Sequence, residues 1–86
     1  MPLQLPSQEE IVTKLETLQY IIEVGLATSF GRGRADECEA SGRYIAEHAR
    51  KRANTPSEAI NARGLAVADE VERIYRNAAE RIRESQ

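Results

Sequence analysis

The chain has one cysteine, one histidine, one methionine and no tryptophan. A lone cysteine excludes an intrachain disulfide. One Cys with one His falls short of the four N or S ligands that a structural zinc site needs. No apolar run approaches the eighteen or so residues of a membrane span. The opening Met1-Pro2-Leu3-Gln4-Leu5-Pro6 has no basic stretch ahead of an apolar one, so it does not read as a secretory signal. An excess of charge of one sign is also missing. Twelve Lys and Arg stand against fourteen Asp and Glu, a formal net charge of -2. Both signs are mixed along the whole length. A dedicated nucleic-acid binder carries a basic surplus, because neutralising phosphates supplies most of its affinity. At 86 residues the chain is one domain, with residues 1–6 and 85–86 expected to be flexible. A cytoplasmic location is expected, with no cofactor and no metal.

What is present is helix. Ser7 with Glu10 three residues on is a capping-box signature, and Pro6 ahead of it blocks propagation toward the N-terminus. Ile11, Leu15, Leu18 and Ile22 then recur at spacings of four, three and four. They fall within about 60° on a helical wheel, with Leu26 at the edge, and read as an inward stripe of a helix over about 8–30. Gly31-Arg32-Gly33-Arg34 ends it. The second helix is expected over about 35–53, with Ala35, Cys38, Gly42, Ile45, Ala49 and Ala53 inward. These small residues predict close approach of a neighbouring helix. Thr55-Pro56-Ser57-Glu58 suggests Thr55 as N-cap and Pro56 as first residue of a third helix, over about 56–84. Its stripe is Ile60, Gly64, Val67, Val71, Ile74, Ala78 and Ile82. Gly25, Gly42 and Gly64 lie mid-helix, which costs about 1 kcal/mol each relative to Ala and predicts close helix crossings there. Short linkers favour antiparallel neighbours. The fold class is therefore all-α: a three-helix up-down-up bundle, or a helical hairpin plus a third helix. A merged, kinked first and second helix remains open at this point.

Large apolar residues are uneven. Ten lie in 11–30, whereas 35–53 has two, Tyr44 and Ile45. Beside its stripe the first helix carries a second sector of Tyr20, Ile21 and Val24. That sector cannot face the same neighbour, and either a central position in a monomer or an intermolecular contact would explain it.

Chemistry is sparse. Cys38 and His48 are about 15 Å apart along one helix, too far for a nucleophile and its base, and Cys38 reads as a buried, inert thiol. Asp36, Glu37 and Glu39 invite a metal, but no Glu-x-x-His accompanies them. First-turn acids complement the helix dipole instead. Tyr44 and His48 form an i,i+4 pair that suits a partner contact. Gly31-Arg32-Gly33-Arg34 offers Arg32 and Arg34 as a candidate anion contact, and Arg50-Lys51-Arg52 closes the second helix.

These features favour a small non-catalytic protein-interaction module: a regulator, inhibitor, adaptor or assembly subunit. It docks an apolar helix face on a protein partner and is expected to self-associate as a homodimer. The candidate partner-binding residues are Tyr20, Ile21, Val24, Tyr44 and His48. The alternative is a small DNA- or RNA-binding regulator using Arg32, Arg34 and the Arg50–Arg52 run. No membrane partner is expected.

Overall fold

In a computed structural model, which describes Leu5 and residues 7–85, three helices follow one another: α1 (Gln8–Phe30), α2 (Ala35–Arg52) and α3 (Glu58–Glu84). The flexible ends expected at residues 1–4, 6 and 86 lie outside the described residues. Ser85 closes α3, its backbone N–H bonding to Arg81 O and its hydroxyl to Ile82 O. Ser7 caps α1 as its sequence signature requires, accepting from the Glu10 N–H at 3.2 Å. Gly31 and Gly33 both have positive φ, 84° and 82°. That left-handed backbone breaks the chain between α1 and α2, so the two do not merge.

The second turn differs from expectation. Ser57, not Thr55, is the N-cap of α3, accepting from the Ile60 N–H at 3.3 Å. Thr55 is captured by Asn61 instead. Its N–H and hydroxyl both donate to Asn61 Oδ1, and Asn61 Nδ2 donates back to Thr55 O at 2.8 Å. This clamp holds Pro56 in the turn, and the helix starts two residues later than the dipeptide suggests.

The antiparallel α2–α3 hairpin is the scaffold. Its contact is lined by small residues: Ala35, Cys38, Gly42 and Ala46 on α2, and Ala68, Ala78 and Ala79 with Ile82 on α3. The line Cys38–Gly42–Ala46 is an i,i+4 ridge, and Gly42 is the gap in it that receives Tyr75. A Cβ on Gly42 would overlap the Tyr75 Cβ. The rotation that seats Tyr75 there buries Ala46 and leaves Ile45 exposed, so Ile45 is not the core residue its spacing suggested. Gly64 is likewise a close approach, with an added Cβ 3.1 Å from Ala53 Cβ. Across the hairpin Arg50 of α2 donates to Asp69 and Glu72 of α3. Arg83 of α3 reaches Asp36 and Glu39 in the first two turns of α2. Glu72 thus pairs across the two helices.

Helix α1 completes the three-helix bundle over its C-terminal half only. Leu26, Ala27 and Phe30 pack on the cluster of Ala35, Cys38, Ala78, Ala79 and Ile82. Residues 8–18 are exposed on every side. The expected inward stripe is therefore wrong: Ile11, Leu15, Leu18 and Ile22 are 44–60% exposed. With no helix over it, the start of α3 is also bare at Ile60 and Val67. The outline is 51 × 37 × 14 Å and the radius of gyration 16.0 Å, against about 12 Å for a globule of this length.

Of the three mid-helix glycines, Gly25 has no atom within 4 Å of an added Cβ, so no close crossing explains it. Gly42→Ala is expected to lower stability by about 1–3 kcal/mol, since overlap with Tyr75 outweighs the gain in helix propensity. Gly25→Ala is expected to raise it by about 0.5–1 kcal/mol. Urea unfolding of the two variants beside the parent checks both signs.

Candidate protein-interaction surface

One carboxylate decides which side of α1 meets the hairpin. Glu23 is 5% exposed and is the buried residue of α1. It accepts hydrogen bonds from Gln19 Nε2 at 2.8 Å, Asn77 Nδ2 at 3.2 Å and Arg81 Nε at 3.1 Å. Burial alone would push its pKa up. The hydrogen bonds from Gln19, Asn77 and Arg81, with the Arg81 charge, outweigh that and hold it below the ordinary glutamate value. Gln19 also accepts from Arg73 of α3 at 3.0 Å. Gln19, Glu23, Leu26, Ala27 and Phe30 therefore form the face toward the hairpin. Its centre lies roughly 100° around the helix from the Ile11 stripe.

That rotation rearranges the residues singled out from sequence. Tyr20 is 58% exposed but lies under the Arg81 guanidinium, 4.9 Å from ring centroid to Cζ, a cation–π contact that ties it to the Glu23 network. Val24 lines a shallow cavity with Thr28, Arg32, Arg81 and Ile82 at the edge of the α1–α3 contact. Ile21, 59% exposed, sits on the opposite flank. There it joins Leu18, Ile11, Ile22 and Leu15 in one continuous apolar arc of roughly 120°, the width of a helix-packing stripe. The proposed sector is thus split, and Ile21 groups with residues read from sequence as core. Tyr44, 74% exposed, and His48 lie on the outer face of α2, roughly opposite the line that meets α3. No described contact joins them to the α1 arc.

The basic candidates are partly occupied. Arg34 donates to Glu37 through Nε at 2.8 Å and stands over the Phe30 ring. Hydrogen bonding to Glu37, and its charge, raise the Arg34 pKa. Arg32 reaches Ser85 O at 3.4 Å, a long contact. Arg50 is held by Asp69 and Glu72, whereas Lys51 and Arg52 are exposed. Cys38 is fully buried with its thiol 3.6 Å from Tyr75 O, and burial pushes its pKa up, so it stays a protonated thiol at neutral pH. Among the described residues no three His, Cys, Asp or Glu are grouped to hold a metal, and no helix is long and apolar enough to cross a membrane.

The lowered Glu23 pKa has a stability consequence. A depressed folded-state pKa contributes stability that is fully present above the unfolded value, about 4.3, and is lost as pH falls through the folded value. The α1–hairpin contact should therefore weaken below about pH 4. Glu23→Ala should cost about 1.5–3 kcal/mol at neutral pH and flatten this acid dependence. Thermal melts of both proteins from pH 7 to pH 3 measure it. No family model, curated protein or solved structure matches this chain.

Proposed function

We propose that this chain is a small non-catalytic helical interaction module, acting as a regulator, inhibitor, adaptor or assembly subunit through the apolar arc of α1. One observation carries the reading: Ile11, Leu15, Leu18, Ile21 and Ile22 form a continuous apolar surface, each between 44% and 60% exposed, on the side of α1 turned away from the hairpin and left uncovered by the described residues. A contiguous exposed apolar patch on a small domain marks a docking site. Covering five half-exposed aliphatic side chains would contribute roughly 1 kcal/mol each before the costs of association. The α2–α3 hairpin is the rigid base, and the Glu23 network sets the direction in which α1 projects. Nucleic-acid binding through Arg32, Arg34 and residues 50–52 has less support, because Arg34 and Arg50 already hold carboxylates within the chain.

Leu18→Asp places a charge at the centre of the arc without touching the hairpin. It should leave helicity and the thermal midpoint nearly unchanged and abolish co-purification of the partner from cells that make the protein. Retention of the same partner by Leu18→Asp would show that the arc is not the docking surface.

A further inference from the structure

The exposed face of α1 carries more order than an apolar patch requires. Ile11, Leu15, Leu18 and Ile22, spaced four, three and four, fall on alternating d and a positions of a heptad, with Gln8 and Gly25 at its ends. Val12, Lys14, Gln19 and Ile21 flank this seam. Lys14 is the one charge among them, since Glu9, Glu10, Glu16 and Glu23 all lie further round the helix. The seam is open: Leu15 is 60% and Leu18 56% exposed, and Gly25 faces empty space.

We infer that the occupant of this face is a second copy of the chain, packed through α1 against α1 in antiparallel fashion about a two-fold axis between Leu15 and Leu18. This rests on the reading of α1 as a docking surface and names its partner. The pattern is its own complement under that axis. Leu15 of one copy meets Leu18 of the other, Ile11 meets the other's Ile22, and Gln8 meets the other's Gly25. Every central layer is apolar on both sides. On the flank away from the hairpins Lys14 comes beside Ile21 of the second copy, and on the other flank Val12 comes beside the second copy's Gln19, so no like charges are opposed. The hairpins, attached to the C-terminal halves of α1, lie at opposite ends of the pair. The exposed half of each α1 then rests along the seam of the other.

Area supports a copy-sized partner. The chain exposes 6794 Å², against about 5,100 Å² for a folded monomer of 9.6 kDa. The six apolar side chains at 11, 12, 15, 18, 21 and 22 expose roughly 500 Å² per copy. Covering them completely in a symmetric pair would remove about 1,000 Å² from water, the threshold for a specific interface, with the neighbouring surface of both copies adding to it.

Sedimentation equilibrium of the purified chain from about 1 to 100 μM tests the pairing. The expected result is a species of twice the 9.6 kDa chain mass, with the dissociation constant raised on the order of 100-fold or more by Leu15→Asp. A monomer throughout that range overturns the self-pairing. Loss of a co-purified protein in Leu18→Asp would then still uphold the docking reading, so the two fail separately. Crosslinking reads the register without charging the seam. In a Cys38→Ala background, Ile11→Cys mixed with Ile22→Cys should form a mixed disulfide under mild oxidation. Ile11→Cys alone should not, because its two copies stand about 16 Å apart along the axis, beyond disulfide reach. Efficient crosslinking of Ile11→Cys alone would overturn the antiparallel arrangement.

Discussion

The buried Glu23 carboxylate is the constraint from which the rest of this architecture follows. A carboxylate removed from water must have its acceptor sites filled, or it costs more than a small domain has to spare. The donors stand on one side. Gln19 is one turn earlier on α1, and Asn77 and Arg81 lie on α3. Satisfying them sets the rotation of α1 about its own axis, and that rotation turns the Ile11–Ile22 stripe away from the hairpin. Arg81 then serves twice, binding Glu23 and covering Tyr20. Only the half of α1 that this network reaches, together with Leu26, Ala27 and Phe30, is held against the scaffold.

The scaffold follows a different rule. Between α2 and α3 the buried positions are almost all Ala, Cys or Gly, so the helices approach closely and interlock through Tyr75 in the Gly42 gap. Close packing of small residues gives many van der Waals contacts but removes little apolar area per residue. The ion pairs of Arg50 and Arg83 hold the two ends in register at exposed or half-exposed positions, where each contributes modestly. The large aliphatic side chains that would normally fill a core are mounted outside it, on α1. Anything that covered that helix only in the folded state would stabilise the chain by mass action.

The helices themselves were legible in the residues. Ser7 with Glu10, the paired glycines at 31 and 33 and the long 3.6-residue periodicities act locally, through caps and backbone conformation, so α1 and the start of α2 fall where the sequence puts them. Cys38 as a buried thiol and Gly42 and Gly64 as close crossings were legible too, since small residues repeated on one face can serve only a near neighbour. Thr55 was misleading because its cap competes with Asn61, six residues away, and the outcome depends on the whole turn. Gly25 was read by analogy with Gly42, yet nothing packs on it.

The sequence by itself determined that the chain is helical, where α1 begins and ends and where α2 begins, and that α1 carries far more aliphatic surface than α2 can match. Periodicity, capping and composition are local quantities, and they suffice for that. Only the tertiary structure decided which side of α1 is core. Amphipathic spacing identifies an apolar face but not its neighbour. Here the neighbour is chosen by a carboxylate and donors more than fifty residues apart in the chain, whose burial requires that they meet. An apolar stripe left in water costs less than an unpaired buried charge, so the stripe that looks most like core is the one the fold leaves exposed.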